Sequence, residues 1–230
     1  MNAIRYDISR SVRLDPKVLA RNRCVAFSPD APELEFYRVL RARVMQRTDW
    51  EGGCTIMVTS ALPGEGKTLT AINLALTFAM TFQWSAMLVD ADLRRQGVRE
   101  MLGYENGRGL ADCLVDGVPL SEAIVWPGGE KLTLVSGGKT VAESSELLGS
   151  PAMKALVEEM KNRYADRCVF FDAPPVLEGA DALALAPLVD FILLVVRGGS
   201  TPLEAVKRAS AMLPQGKILG AVMNRQEGRG

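Results

Sequence analysis

One segment of the chain has the residue types and the spacing of a loop that binds phosphate. It runs Ala61-Leu-Pro-Gly-Glu-Gly-Lys-Thr68 and fits the P-loop pattern, except that alanine stands at the position of the first glycine. Gly64 and Gly66 let backbone N–H groups turn inward around phosphate oxygens, and Lys67 adds a positive charge. Thr68 offers its hydroxyl group to magnesium. The predicted ligands are therefore ATP and Mg2+, and the predicted nucleotide contacts are Pro63, Gly64, Glu65, Gly66, Lys67, Thr68 and Leu69.

Acidic side chains follow two apolar runs elsewhere in the chain. Asp90 and Asp92 come at the end of one run, with Arg94 shortly after them, and Asp172 ends another. A single acidic residue after a strand is often only a helix cap. In the same sheet as a P-loop, however, such carboxylates lie where they can orient magnesium or its water shell. The predicted metal site consists of Thr68, Asp90 and Asp172.

The elements that would position these residues alternate along the chain from residue 54 onward. Short runs rich in Val, Ile, Leu and Phe are typical of strands buried on both faces of a parallel sheet. The predicted strands are residues 54–60, 86–90, 132–135, 168–172, 191–196 and 218–223. The predicted helices are residues 32–46, 67–82, 96–102, 109–114, 119–125, 151–164, 181–186 and 202–213. This alternation predicts an α/β protein with the three-layer P-loop NTPase fold, in which a mostly parallel central sheet carries helices on both faces.

The two ends of the chain have weaker patterns than its centre. We predict an N-terminal arm at residues 1–30 that is irregular or partly helical, a P-loop domain at 31–225 and a disordered tail at 226–230. No signal-peptide pattern is present, and no apolar run approaches the ~20 residues that span a bilayer. The expectation is a cytoplasmic protein.

The composition excludes several kinds of catalytic site. The chain has no histidine, which excludes Ser-His and Cys-His catalysis and leaves acid–base chemistry to carboxylates or lysine. The four cysteines are scattered without a CxxC pair, as in a reduced intracellular protein. The 27 Lys and Arg residues equal the 27 Asp and Glu residues, so no general attraction to nucleic acid is expected.

Together these motifs resemble the bacterial tyrosine kinases (BY-kinases) of capsule and exopolysaccharide synthesis. The similar elements are the P-loop, the Asp90-x-Asp92-x-Arg94 segment and the Asp172-Ala-Pro-Pro segment, and the likeness covers roughly residues 33–225. The resemblance implies an ATP-dependent transfer of phosphate to protein tyrosines. Its predicted catalytic residues are Lys67, Asp90, Asp92, Arg94 and Asp172.

Within this resemblance, each predicted residue has a role. Lys67 and Arg94 would stabilise charge on the transferring phosphoryl group, and either Asp90 or Asp92 would accept the tyrosine proton. The resemblance also implies that Asn224 lies near the adenine.

The resemblance extends to assembly and partners. Glu35, Arg38 and Arg41 fit a Glu-x-x-Arg-x-x-Arg helix that supports ring-like homo-oligomers in the family, whereas the spacing alone suggests a solvated, salt-bridged surface. The lack of a predicted membrane span resembles the split form of the family. In that form a membrane adaptor activates the kinase and recruits it to the inner face of the membrane.

The tyrosines depart from the family pattern. Family members usually end in a tyrosine-rich tail, but residues 224–230 contain no tyrosine. Of the four tyrosines in the chain, Tyr37 and Tyr164 lie in predicted helices and are expected to be packed. Tyr6 is the freest acceptor. Residues 224–230 therefore offer no acceptor for self-phosphorylation on a tail cluster.

Two other functions stay open at this point. One is a switch ATPase similar to partition and division-site proteins, in which ATP controls assembly without tyrosine phosphorylation. Those proteins carry a signature lysine early in the loop, where this chain has Leu62. The other is a catalytically silent assembly partner.

Overall fold

An eight-stranded sheet forms the centre of the fold. The computed structural model describes residues 10–28, 30–48, 52–105, 107–128 and 131–225. The strands are β1 (Arg10–Ser11), β2 (Cys54–Ser60), β3 (Ser85–Asp90), β4 (Ile124–Trp126), β5 (Leu132–Val135), β6 (Arg167–Asp172), β7 (Phe191–Arg197) and β8 (Ile218–Asn224). Their order in the sheet is β1-β4-β5-β3-β6-β2-β7-β8, and among the described strands only the β4–β5 pair is antiparallel. The predicted mostly parallel sheet is confirmed.

Helices cover both faces of this sheet. On one face lie α1 (Pro16–Arg21), α2 (Leu34–Gln46), α3 (Lys67–Ala79) and α4 (Val98–Leu102). On the other lie α5 (Leu110–Asp116), α6 (Leu120–Ala123), α7 (Ser144–Leu148), α8 (Pro151–Asn162), α9 (Asp181–Leu185) and α10 (Leu203–Met212). Alternate residues of the central strands feed two separate hydrophobic clusters, one beneath each helical layer. The three-layer architecture is therefore as predicted.

The central strands position the predicted site because they are buried on both faces. Every residue of β2, β3 and β6 is buried, and β6 lies between the other two. The register pairs Asp90 at the end of β3 with Asp172 at the end of β6. The P-loop follows β2, so the carboxyl ends of three adjacent strands meet at one edge of the sheet.

The prediction is wrong in one helix and misses several short elements. Ile124 and Val125, predicted to end a helix, form β4 instead, because they pair with β5 at the periphery of the sheet. β1 and α7 were not predicted, whereas α1 lies in the arm that was predicted to be irregular or partly helical. Residues 10–28 add β1 to the edge of the sheet and place α1 against α4. The boundary at residue 30 stays a prediction, and the tail at 226–230 lies outside the described residues.

The helices are short. Within the described ranges, no helix has the length and apolar character needed to cross a membrane.

Candidate nucleotide-binding and active site

The P-loop joins β2 to α3 and takes its shape from two glycines. Gly64 and Gly66 have φ angles of +75° and +94°, a region that side chains with a Cβ rarely adopt. A Cβ atom on Gly66 would lie 1.9 Å from Nδ2 of Asn224. Asn224 ends β8, and its Nδ2 donates a hydrogen bond to the carbonyl oxygen of Glu65 at 2.8 Å. The loop is thus held by the last described strand.

The buried side chain of Glu65 holds the P-loop in its conformation. Oε2 of this side chain accepts a hydrogen bond from the backbone N–H of Leu62 at 2.7 Å. The other oxygen, Oε1, accepts from the hydroxyl of Thr201. Glu65 therefore fixes the loop conformation from the side away from the groove. The sequence placed Glu65 in the nucleotide site but gave no sign of this inward orientation, which depends on a residue 136 positions away.

Lys67 and Thr68, at the start of α3, contact the carboxylates at the neighbouring strand ends. Nζ of Lys67 lies 2.9 Å from Oδ2 of Asp92 and 3.7 Å from Oδ1 of Asp172. The Thr68 hydroxyl donates to Oδ2 of Asp172 at 2.7 Å. The structure thus brings four of the predicted site residues into one contact network.

Asp90 belongs to this cluster but is more enclosed. Its Oδ1 accepts from the N–H of Asp92 at 3.2 Å, and its Oδ2 accepts from the N–H of Val98 at 3.1 Å. Burial, reinforced by the charge of Asp172, raises the pKa of Asp90 well above its usual range. Asp90 therefore orders the segment between β3 and α4 through these two backbone hydrogen bonds.

Burial and neighbouring charges shift the pKa values of the other members of the cluster in opposite directions. Burial raises the pKa of Asp172, although Lys67 and the Thr68 hydroxyl act to lower it. Burial by itself would lower the pKa of Lys67, but Asp172 and Asp92 outweigh it, so the pKa of Lys67 is raised. Lys67 is therefore fully charged at neutral pH and suited to bind phosphate.

The structure turns Arg94 away from Lys67. Nε of Arg94 donates to Oγ of Ser144 at 2.7 Å and lies 3.1 Å from Oδ2 of Asp181. Ser144 in turn donates to the other oxygen of Asp181 at 2.9 Å. Arg94 thus joins the β3 end to α7 and α9. Arg95, which the sequence analysis did not select, lines the P-loop groove instead.

A broad groove surrounds the loop. One wall comes from residues 19–25 and α2, and the opposite wall from residues 197–200 and 222–225. Pro63, Gly64, Gly66, Lys67, Thr68 and Leu69 line its floor, and Asn224 lies on the second wall. The contribution of residues 19–25 was missed, because nothing in their sequence points to a ligand.

The described residues fit a magnesium ion bound together with phosphate. Oδ1 of Asp172 is buried and has no hydrogen-bond donor among the described residues, and the Thr68 hydroxyl lies beside the same carboxylate. Within those residues, no group of three or more acidic or thiol side chains forms a metal site alone. A cation here would take further ligands from phosphate and water.

The predicted oligomer face is only partly free. Glu35 and Arg38 are exposed on α2 and pair with each other at 3.3 Å. Arg41 points inward, and its guanidinium donates to the carbonyl oxygen of Thr77 in α3. The helix therefore presents two of the three charged residues to solvent.

The described tyrosines are engaged within the fold. Tyr37 is half-buried against Asn73 and Thr70 of α3, and Tyr104 is buried. The guanidinium of Arg167 lies 4.2 Å from the centre of the Tyr164 ring. The expected packing of Tyr37 and Tyr164 agrees with these contacts, and Tyr6 lies outside the described residues.

Comparisons with known proteins identify relatives with the same arrangement. The sequence is 34% identical over 208 residues to the tyrosine-protein kinase YwqD of Bacillus subtilis, covering 90% of this chain and 86% of that protein. It is 33% identical over 217 residues, again 90% of this chain, to the succinoglycan biosynthesis transport protein ExoP of Rhizobium meliloti, and spans 26% of its length. No protein-family model matches the sequence.

Solved structures agree with these relatives. The kinase domain of the Escherichia coli tyrosine kinase ETK superposes with a TM-score of 0.78 at 26% identity, covering 96% of this chain and 92% of that one. The cell-division ATPase MinD of Pyrococcus furiosus shares the fold over 74% of this chain and 71% of its own, with a TM-score of 0.63 at 21% identity. The comparisons favour the tyrosine kinase over the switch ATPase, and this chain belongs to the family of bacterial tyrosine kinases.

Proposed function

We propose that the chain uses Mg-ATP to phosphorylate protein tyrosines and so regulates the polymerisation and export of an exopolysaccharide or capsule. The observation that carries the proposal is the contact network of Lys67, Thr68, Asp92 and Asp172 at the mouth of the P-loop. The names of the relatives support the biological setting, since they include tyrosine kinases and a polysaccharide transport protein.

The P-loop would hold the phosphates of ATP in the groove. Backbone N–H groups around Gly64 and Gly66, together with the charge of Lys67, bind and orient the anion. In this structure Lys67 is paired with Asp92, so we expect phosphate to compete for Lys67 and to loosen that pair. Binding of the nucleotide would therefore release a carboxylate beside the reacting group.

Thr68 and Asp172 would hold magnesium, which would neutralise charge on the phosphates. Asp90 supports this site from behind, because both of its oxygens already accept backbone N–H groups.

Asp92 is the better placed of the two candidate bases. Its side chain lines the groove, whereas Asp90 is completely buried. Once Lys67 turns to phosphate, Oδ2 of Asp92 can accept the proton of a tyrosine hydroxyl. Arg94, predicted to contact the phosphoryl group, would support the site only indirectly through Asp181.

The function is tested by incubating the purified protein with labelled Mg-ATP and a cytoplasmic fragment of a membrane adaptor. We expect phosphotyrosine on the protein or on a substrate, detected by mass spectrometry. Lys67→Met should abolish the labelling, because it removes the charge that binds phosphate. Lys207→Met is the matched control, since Lys207 is exposed on α10 and pairs only with Glu204 among the described residues.

Release of free phosphate without any phosphotyrosine would overturn the kinase function in favour of the switch ATPase. Absence of both products would point to the silent assembly partner.

The adaptor and the oligomer form the second part of the proposal. Glu35 and Arg38 would contact a neighbouring copy in a ring-like homo-oligomer, while Arg41 keeps α2 in place. A membrane adaptor would recruit this cytoplasmic chain to the inner face of the membrane. The exposed side chains of Phe36 and Val39 on the same helix support a protein contact there.

A further inference from the structure

A second groove lies beside the P-loop groove and is lined by basic side chains. It has a volume of about 460 Å³, and its lining includes Arg94, Arg95, Gln96, Arg99, Glu100 and Thr140. The lining thus contains three guanidinium groups and one carboxylate. A concave surface of one charge sign attracts ligands of the opposite sign.

The two grooves adjoin at the phosphate end of the site. Arg95 lines both of them, and it pairs with Glu178 at 3.1 Å across the rim of the P-loop groove. Gly97 lines the second groove, and a Cβ atom there would lie 3.3 Å from Cγ2 of Thr68. A peptide that extends from the reacting phosphate on this side would therefore lie next to the basic groove.

The three arginines differ in whether they already form ion pairs with other residues of the fold. Arg94 is paired with Asp181, and Arg95 with Glu178. Nε of Arg99 is buried and has no hydrogen-bond partner among the described residues. Arg99 lines the second groove and forms no ion pair among the described residues, so its charge is available to an anionic ligand.

We infer that this basic groove binds acidic residues next to the tyrosine that is phosphorylated. The inference rests on the proposed kinase function and adds a substrate class, namely tyrosines flanked by Asp or Glu. The tyrosine side chain would reach Asp92 and Lys67 over Arg95, and the acidic flank would lie against Arg94, Gln96 and Arg99. Because the whole chain carries as many acidic as basic residues, the attraction would come from this groove and not from the overall charge.

The test compares two fluorescent peptides that share one central tyrosine. One peptide has glutamates on both sides of the tyrosine, and the other has glutamines of the same size. Binding to the full chain is measured by fluorescence anisotropy with Mg2+ and a non-hydrolysable ATP analogue. We expect the glutamate peptide to bind about tenfold more tightly at low salt, with the preference fading as salt rises.

Two arginine variants locate the effect. Arg99→Gln should weaken binding of the glutamate peptide about threefold, the range of one partly exposed charge pair, and should leave the glutamine peptide unaffected. Arg163→Gln removes the same charge directly after α8, where Arg163 pairs with Glu159, and should change neither affinity.

Equal affinity for the two peptides would overturn the inference. Equal weakening by Arg99→Gln and Arg163→Gln would do the same, since a general charge effect would then explain the preference. Phosphorylation of the peptides is assayed separately with ATP. If the glutamate peptide binds as expected and yet is never phosphorylated, the kinase function fails while the assignment of the groove stands.

Discussion

At the scale of single residues, Cys24 makes the free energy of unfolding depend on pH in the alkaline range. Its thiol is buried, with Sγ 3.6 Å from the carbonyl oxygen of Met101 in α4. Burial raises the pKa of Cys24 from 9.0 to about 12. The folded protein therefore keeps a proton that the unfolded chain releases above pH 9, and the stabilisation is present below that pH and is lost as pH rises toward 12.

This linkage predicts a measurable slope of the free energy of unfolding against pH. Between pH 8 and pH 10 the free energy of unfolding should fall by about 1 kcal/mol on account of Cys24. Cys24→Ala should remove that part of the slope, although it lowers stability overall. Val25→Ala, next to it, should lower stability without changing the slope. Urea unfolding followed by tryptophan fluorescence at both pH values measures this, and identical slopes for Cys24→Ala and the unaltered protein would contradict it.

The residues of the site differ in how far sequence could predict them. Lys67, Thr68 and Asp172 were predictable because their positions follow from a strand end and a loop of fixed length. The family resemblance placed Arg94 at the phosphate, but the direction of its side chain depends on Asp181, which comes from a distant helix. Local spacing carries no information about such a partner, and for that reason Arg95 was also overlooked.

At the scale of elements, α2 is attached to the rest of the fold by Arg41 within the helix and by Arg47 directly after it. Arg41 binds the carbonyl oxygen of Thr77 near the end of α3, and Arg47 binds that of Leu219 in β8. Carbonyl groups in the last turn of a helix have no partner within the helix, so a guanidinium there satisfies an otherwise open acceptor. The helix is thereby fixed to two layers of the fold.

The anchoring predicts a difference between two arginines of one helix. Arg41→Ala should lower the free energy of unfolding by about 2 kcal/mol, since it removes a partly buried charged hydrogen bond and the packing of the side-chain stem. Arg38→Ala should change it by less than about 0.5 kcal/mol, as expected for an exposed pair. Denaturant unfolding of both variants provides the measurement, and equal losses would contradict the anchoring role.

The elements were predictable where burial was uniform. β2, β3 and β6 stand out in the sequence because both of their faces are covered. β1 has two exposed residues, and β4 has three residues of which Ile124 and Val125 continue a helical pattern. Their strand conformation comes from pairing at the edge of the sheet, which no local pattern encodes.

At the scale of the whole molecule, the exposed face of α2 is the proposed site of assembly. Glu35 and Arg38 form an ion pair at its surface, with Phe36 and Val39 exposed beside them. Exposed apolar groups ringed by charges are typical of surfaces that bind other proteins.

Arg38→Ala should therefore lower the oligomeric mass measured by multi-angle light scattering. Arg43→Ala serves as the control, because Arg43 is exposed on the same helix outside the Glu-x-x-Arg-x-x-Arg motif. An unchanged mass for Arg38→Ala would mean that this face is simply solvated.

The two walls of the P-loop groove have a thermodynamic consequence. Asn73 of α3 helps to hold residues 19–25 at the groove, accepting from the N–H of Ala26 at 3.0 Å and donating to the carbonyl oxygen of Arg23 at 3.3 Å. A ligand can contact this wall only when the segment is docked. Docking of the segment and binding of such a ligand therefore favour each other. The factor by which docking raises the affinity for the ligand equals the factor by which the bound ligand favours docking. A change that undocks the segment therefore weakens ligand binding in proportion to the docked fraction that is lost.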